Sequence, residues 1–131
     1  MTELLTHAEY QAIAQDLNLP LNAYIDGKFQ AAKSKKTFAS INPASGKTIA
    51  MIAACDAKDV DFAVKKAREA FDDGRWSRLH PSERKAVLIR LAKLMKRNSH
   101  ELAVMESIDS GKPVLDCETI DLPETIQCLI C

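Results

Sequence analysis

Glycine is scarce in this 131-residue chain, which contains four glycines in all. They stand far apart, at positions 27, 46, 74 and 111, between polar neighbours. A G-x-G-x-x-G segment or a phosphate-binding loop needs several closely spaced glycines, and neither motif occurs in the sequence. The sequence therefore carries no dinucleotide or phosphate fingerprint, and we interpret each glycine as a turn residue.

The sequence also lacks an excess of one charge and any long apolar run. Eighteen Lys plus Arg residues balance eighteen Asp plus Glu residues, which disfavours nucleic acid and anionic membranes as partners. The apolar runs are broken by charge, as at 86–91, and are much shorter than a membrane span. With 47% hydrophobic and 27% charged residues, the composition is typical of one soluble globular domain.

Lysine and arginine are missing from the first twenty positions. A secretory signal or an Arg-rich transit peptide requires them, so we predict a cytoplasmic protein. The four cysteines are Cys55, Cys117, Cys128 and Cys131. Because the chain has no secretory features, we expect reduced thiols rather than a disulfide framework.

Turn-forming residues divide the first part of the chain into short segments. A leader helix is predicted over 7–17, before Pro20. The segment 24–29 has Asp-Gly at its centre, a pair that tolerates the positive φ angles of a two-residue hairpin turn. Extended segments at 37–41 and 48–53 flank the turn sequence N-P-A-S-G. The pattern predicts a small antiparallel β unit.

A helical period replaces the strand pattern from Asp56, which is placed to cap a helix that ends at Gly74. The apolar stripe of this helix consists of Val60, Ala63, Val64, Ala67, Ala70 and Phe71. A second helix is predicted from Pro81, with Glu83 reaching back to a free backbone amide. The apolar positions over 87–95 should form its buried face.

Two further helices are predicted in the last third of the chain. Asn98 followed by Glu101 marks the start of the third helix, which Gly111 ends. A fourth apolar stripe begins beyond Pro123 and consists of Ile126, Leu129 and Ile130, which we call the C-terminal stripe. Since no helix-ending residue follows, we expect this helix to continue past Cys131 in a longer protein. The chain alone is predicted to be α+β.

Five short motif groups stand in a fixed order along the chain. They are Y-I-D-G-K-F at 24–29, I-N-P-A-S-G-K at 41–47, D-V-D at 59–61 with A-R-E-A-F at 67–71, W at 76 with P-S-E-R at 81–84, and E-S-I-D-S-G-K-P at 106–113 before D-L-P at 121–123. This order resembles the opening of the NAD(P)-dependent aldehyde dehydrogenases, over roughly 110 residues from Leu21 onward. Segments 84–88 and 91–95 look most like bacterial γ-glutamyl-γ-aminobutyraldehyde dehydrogenases.

The resemblance implies an α/β fold for the parent protein, with a Rossmann-like NAD(P)-binding domain. Residues 1–20 would form a leader helix. Residues 21–131 would form the N-terminal part of the NAD(P)-binding domain, truncated before the Rossmann core and the catalytic domain. NAD or NADP is the implied cofactor of the parent, and none is expected for the isolated chain. The implied partners are the remainder of the fold and, in a homo-oligomer, further copies.

Aldehyde oxidation in this family passes through a Cys thiohemiacetal and yields a carboxylic acid. It needs a thiolate, amide donors for the oxyanion, a nicotinamide that accepts hydride, and a general base. The family's P-W-N-F turn, G-S-T loop, E-x-G-G-K segment and nucleophilic Cys have no counterpart here. No catalytic or cofactor-binding residue can therefore be assigned, and the isolated chain is predicted to be inactive.

The resemblance implies one site that these residues could still supply. Many family structures hold a structural monovalent cation between the loop before the N-P turn and the Asp of the D-[ST]-G-K motif. The matching positions are Ser40 and Ile41, through backbone carbonyls, and Asp109, through its carboxylate. These are the oxygen ligands that hard cations prefer. The alternative is that Asp109 only hydrogen-bonds the turn at Gly111.

The sequence alone leaves two other functions possible. One is a non-catalytic interaction module that docks through the C-terminal stripe onto a partner or a second copy. The other is a small thiol or zinc protein, because Cys128-x-x-Cys131 has ligand spacing and two more cysteines are present. The apolar Leu129 and Ile130 between those cysteines favour small core residues over zinc ligands.

Overall fold

The computed structural model describes residues 4–130. The chain forms two compact units, each described here by itself. Unit 1 consists of Met1–Asn18, Asn42–Lys47 and Lys85–Cys131. Unit 2 consists of Leu19–Ile41 and Thr48–Arg84. Each unit is therefore assembled from segments that are separated in the sequence.

The predicted succession of a leader helix, short strands and then helices is confirmed. In chain order the elements are α1 (His7–Asp16), β1 (Ala23–Ile25), β2 (Lys28–Gln30), β3 (Thr37–Ile41), β4 (Thr48–Ala53), α2 (Ala57–Asp72), α3 (Pro81–Arg97), α4 (Ser99–Ser110), α5 (Val114–Asp116), a π turn (Cys117–Asp121) and α6 (Leu122–Ile130). Among residues 4–130, no helix combines the length and the apolar character needed to cross a bilayer.

The strands of unit 2 form two antiparallel pairs, β1 with β2 and β3 with β4. Asp26 and Gly27 connect the first pair with φ angles of 54° and 77°, as the Asp-Gly signal predicts. Tyr24 and Phe29 lie opposite each other across this hairpin, with ring centroids 5.0 Å apart. The aromatic pair supports the hairpin register.

Helix α2 begins at a reciprocal capping arrangement. The Asp56 carboxylate accepts the backbone N–H of Lys58 at 2.9 Å. Asp59 is 5% exposed and accepts the backbone N–H groups of Asp56 at 3.1 Å and Lys33 at 3.0 Å. These two hydrogen bonds, that of Asp56 first, hold the pKa of the Asp59 carboxyl below its usual value. One carboxylate thus fixes both the start of α2 and the segment that follows β2.

We expect the Asp59→Asn substitution to lower the melting temperature of the chain by several degrees at pH 7. The new amide would direct an N–H group at a backbone N–H that had been bonded to oxygen. A depressed folded-state pKa stabilises the fold while the carboxylate is ionised, and this contribution is lost as the pH falls through that pKa. Thermal unfolding at a series of pH values down to 3 should therefore show wild type and variant converging.

The matched control is Asp61→Asn, which changes an exposed aspartate of the same helix. Its melting temperature should stay close to that of the wild type. A constant difference between wild type and the Asp59 variant across the whole pH series would contradict the assigned role of the carboxylate.

The start of α3 follows the predicted signal, and that of α4 follows it only in part. Thr6 and Glu9 form a capping box before α1, and the Glu83 carboxylate accepts the His80 N–H at 2.9 Å before α3. Asn98 precedes α4 as predicted, but its side chain donates to the Leu94 carbonyl at 2.8 Å instead of capping the helix. Asn98 therefore marks the start of α4, as predicted, but its side chain does not cap the helix.

The core of unit 1 is built from small residues. The buried apolar residues described in it are Ala92, Ala103, Val104 and Cys117. Ala103 and Cys117 have no exposed surface at all. Small side chains on α4 allow α1 and the π turn to approach it closely, and both pack against it.

The prediction that the apolar positions over 87–95 form a buried face of α3 is wrong for three of these residues. Ala92 is 2% exposed, whereas Leu88, Leu91 and Leu94 are 39%, 45% and 46% exposed. The spacing correctly identified an amphipathic helix, but these leucines are only partly covered within residues 4–130. The stripe of α2 is similarly open, with Val60, Val64 and Phe71 more than half exposed.

The last helical region begins earlier than predicted. The sequence placed its start beyond Pro123, whereas helical structure begins at Val114 and is interrupted by the π turn. The apolar stripe of this helix is visible in the sequence only from Ile126 onward, beyond Pro123. Pro123 is indeed the second residue of α6, but a helical segment already precedes it.

Candidate functional site

The predicted cation ligands lie in two elements. Ser40 and Ile41 end β3 at an irregularity in its pairing with β4, within unit 2. Asp109 lies in the last turn of α4, within unit 1. Among residues 4–130 no three His, Cys, Asp or Glu side chains are grouped closely enough to hold a metal ion. A site made mainly of backbone carbonyls needs no such group, and the cation site stays a prediction.

Two of the recognised motifs contact each other in unit 1. Gly111 ends α4 with a φ of 78°, in the left-handed region that favours glycine. Pro43 of the N-P turn lies against it, so closely that a Cβ atom on Gly111 would be 2.7 Å from the proline Cγ. The turn itself is held by the Asn42 side chain, which accepts the Ala44 N–H at 2.9 Å. The two motifs fit together only with glycine at 111.

The Gly-Lys-Pro segment at 111–113 is held by side-chain hydrogen bonds to α4 and to the π turn. Lys112 Nζ lies 2.7 and 2.6 Å from the two carboxylate oxygens of Asp121, the last residue of the π turn. This hydrogen bonding is the main reason why the pKa of Lys112 is raised. The Ser107 hydroxyl donates to the Lys112 carbonyl at 2.7 Å. The connection between α4 and the π turn is therefore fixed by side chains as well as by the glycine.

A buried polar cluster joins three elements of unit 1. Glu118 in the π turn is 4% exposed, although it carries a carboxyl group. Its Oε2 accepts a short hydrogen bond from the Tyr10 hydroxyl of α1, and its Oε1 lies 2.7 Å from His100 Nδ1 of α4. Burial, and next the hydrogen bond to Glu118, raise the pKa of the Tyr10 hydroxyl. Tyr10 therefore remains a hydrogen-bond donor at neutral pH.

This cluster connects α1 to α4 and the π turn. The Tyr10 oxygen also accepts the backbone N–H of Leu5 at 3.3 Å, which ties it to the residues before α1. The rings of Tyr10 and His100 meet edge to face with centroids 6.4 Å apart. Sequence reasoning missed the cluster. A signal was present, since Glu118 falls four residues after Val114 and four before Leu122 at the helical spacing of core residues.

The cysteines do not form a common site among the described residues. Cys117 is fully buried, and burial is the main cause of its raised thiol pKa. Cys55 and Cys128 are exposed free thiols. The prediction of small core residues, made for Cys128 and Cys131, is wrong for Cys128, which is exposed on α6. Cys131 lies outside the described residues.

Unit 2 contains an open cavity of about 450 Å³ between the β1–β2 turn and α2. Each charged side chain that lines it has an oppositely charged partner, and Arg75 Nε donates to the Asp73 carboxylate at 2.8 Å. Lys66 Nζ lies 2.8 Å from Glu69 and 3.7 Å from Asp26, and the hydrogen bond to Glu69 is the largest cause of its raised pKa. These internal pairs leave no argument for a charged ligand in the cavity.

Comparison with known proteins decides the family. The model of the aldehyde dehydrogenase family matches residues 29–130. The chain belongs to the aldehyde dehydrogenase family. The match excludes the leader helix and includes both motifs that meet at Gly111, together with the π turn.

Individual family members match almost the whole chain. It is 58% identical to the aminoacetaldehyde dehydrogenase of Pseudomonas aeruginosa over 129 residues, which is 98% of this chain and 26% of that protein. The structure of indole-3-acetaldehyde dehydrogenase AldA from P. syringae, in complex with NAD+ and IAA, has a TM-score of 0.94 and 44% identity and matches over 97% of this chain and 26% of that one. The structure of γ-glutamyl-γ-aminobutyraldehyde dehydrogenase of Burkholderia cenocepacia has a TM-score of 0.93 and 41% identity. It matches over 96% of this chain and 26% of that one.

The resemblance seen in the sequence is thereby confirmed, including its γ-glutamyl-γ-aminobutyraldehyde dehydrogenase relatives. The α+β character of the chain, with short antiparallel strand pairs and several helices, is that of a fragment of the aldehyde dehydrogenase fold. The chain spans about a quarter of the length of these aldehyde dehydrogenases.

Proposed function

We propose that this chain is the N-terminal part of an NAD(P)-dependent aldehyde dehydrogenase that oxidises an aldehyde to a carboxylic acid in the cytoplasm. In this proposal residues 1–20 are the leader and residues 21–131 begin the NAD(P)-binding domain. The family match over 29–130 is the observation that carries the proposal. By itself the chain binds no cofactor and oxidises no aldehyde, because none of the family's catalytic motifs is among its residues.

The role of the chain in the parent enzyme is that of a scaffold with open apolar faces. Val60, Val64 and Phe71 on α2 are 55%, 62% and 56% exposed. Exposed apolar stripes of this kind mark surfaces that another part of a protein covers. We infer that the remainder of the aldehyde dehydrogenase fold packs on the α2 stripe and on the leucines of α3.

An aldehyde that carries an amino group is the first substrate to test. Support for this choice comes from the 58% identity to an aminoacetaldehyde dehydrogenase, against 44% to an indole-3-acetaldehyde dehydrogenase. NAD is the first cofactor to test, because that indole-3-acetaldehyde dehydrogenase was solved with NAD+. NADP and indole-3-acetaldehyde are the comparison reagents.

The experiment joins this chain to the part of the P. aeruginosa aminoacetaldehyde dehydrogenase that lies beyond the matched segment. We expect the chimera to reduce NAD in the presence of aminoacetaldehyde, and the 131-residue chain alone to reduce none. Formation of NADH is followed by its absorbance. A chimera that folds and binds NAD but oxidises no aldehyde would contradict the proposed function.

A pair of α2 variants tests the scaffold role separately. In the chimera, Val64→Asp should lower NADH formation at least tenfold, because a buried unpaired charge costs several kcal/mol. Lys65→Asp introduces the same side chain at the next, exposed position and should leave activity close to that of the parent chimera. Equal activity of the two variants would show that the α2 stripe is not part of this interface. It would not contradict the proposed activity.

The alternative of an interaction module rests on the C-terminal stripe and gains little support. Ile126 and Leu129 are half-buried within the chain, and Ile130 alone among the three is exposed, at 43%. The exposed apolar surface is more extensive on α2 and α3. A second copy docking through the stripe would appear as a concentration-dependent mass of the isolated chain.

A further inference from the structure

The π turn between α5 and α6 is the least regular part of the helical region. Its hydrogen bond runs from the Leu122 N–H to the Cys117 carbonyl, five residues earlier, instead of the four of an α-helix. A π turn inserts one residue into a helix, so every residue after it is rotated by about 100° relative to an uninterrupted helix. The turn therefore decides which side of α6 faces the rest of unit 1.

The side of α6 that faces inward is well defined. Leu122, Ile126 and Leu129 are half-buried and follow a spacing of four and three residues, whereas Cys128 and Ile130 are exposed. α6 packs against α4 and the π turn. A change of one residue in helix register would turn this half-buried face away and bring other side chains inward.

The π turn is held by side chains at two of its residues. Asp121 is paired with Lys112 across the loop that follows α4. Glu118 is pointed inward, where His100 of α4 and Tyr10 of α1 meet its two oxygens. The Glu118 side chain is 1% exposed, so the carboxyl group is kept inside only if donors are present there.

Pro123 gives a separate reason for an irregular helix at this point. It has no N–H, and its ring crowds the carbonyl four residues earlier. The usual result is a kink, which would not require Glu118 to be buried. The inward position of Glu118 beneath the Tyr10 hydroxyl is what distinguishes this turn from a simple proline kink.

We propose that the leader helix sets the register of α6, because the contact between Tyr10 and Glu118 holds the π turn in place. With α1 docked, Glu118 points inward and the inserted residue is retained. Without the Tyr10 donor, Glu118 turns towards water, the turn closes to an α-helix, and α6 rotates. The leader is 108 residues from Glu118 in sequence and lies outside the family match, yet it determines which face α6 presents.

The test is nuclear magnetic resonance of the full chain, measuring scalar couplings through backbone hydrogen bonds. In the wild type, the Leu122 amide nitrogen should couple to the Cys117 carbonyl carbon. In Tyr10→Phe, which removes the hydroxyl and keeps the ring, that coupling should be lost and replaced by one to the Glu118 carbonyl. The control is Tyr24→Phe, which removes the other tyrosine hydroxyl, in unit 2, and should preserve the wild-type coupling.

A second variant keeps the proposal testable if Tyr10→Phe does not fold. Glu118→Ala removes the carboxyl group that Tyr10 holds and leaves no long side chain that could keep the turn in place by another buried contact. It should also lose the Cys117–Leu122 coupling. If that coupling persists in whichever variant folds, Pro123 and local packing set the register, and the leader does not.

Discussion

The His100→Ala substitution is expected to destabilise the chain by about 1 to 3 kcal/mol, because it removes the polar group that faces a buried carboxyl oxygen. His100 Nδ1 and Glu118 Oε1 are 2.7 Å apart, and both atoms are buried without a hydrogen bond of regular geometry among the described residues. Removing the imidazole takes away the polar atom that faces this buried oxygen. The measurement is urea unfolding followed by circular dichroism, with the free energy of unfolding extrapolated to water.

The control for this prediction is His7→Ala, at an exposed position of α1. It should change the free energy of unfolding by no more than about 0.5 kcal/mol. The double variant His100→Ala, Glu118→Gln should recover much of the lost stability, since a neutral amide is less costly to bury than a carboxylate. Equal destabilisation by the His100 and His7 substitutions would contradict the pairing.

The Gly111→Ala substitution is expected to cost about 2 to 4 kcal/mol, from a non-glycine residue in the left-handed region together with overpacking. Gly111 has a φ of 78°, and an added Cβ would stand 2.7 Å from the Cγ of Pro43. Neither the turn backbone nor the rigid proline ring can move away easily. Unfolding of the variant in urea gives the size of the effect.

Gly46→Ala separates the two contributions. Gly46 also has a positive φ, of 68°, but an added Cβ would meet nothing within 4 Å. This variant should lose only the conformational part, about 1 to 2 kcal/mol. If the two alanine variants are equally stable, the contact between Pro43 and Gly111 does not constrain the fold.

Elements whose signals are local were predictable from the sequence. Asp26-Gly27 specified the hairpin because its backbone angles depend on those two residues alone. The Asp56 cap and the left-handed Gly111 are equally local. By contrast, the burial of α3 depended on what covers it, and its exposed leucines show that periodicity identifies an apolar face without identifying the partner of that face.

The candidate site was less predictable because its contacts are not local. Lys112 and Asp121 are nine residues apart in sequence. Their pairing depends on a π turn that no sequence pattern predicted. Tyr10 and Glu118 come from opposite ends of the chain, and neither lies in a chemical motif. The cation site of Ser40, Ile41 and Asp109 was transferred from the family and stays a prediction.

The distance in sequence between Tyr10 and Glu118 has a consequence for synthesis. At a translation rate of 5 to 20 residues per second, the 108 residues between them take roughly 5 to 20 seconds to make. A helix of ten residues is marginal in water without tertiary contacts, despite its capping box. Helix α1 can therefore complete its packing in unit 1 only after the π turn has left the ribosome.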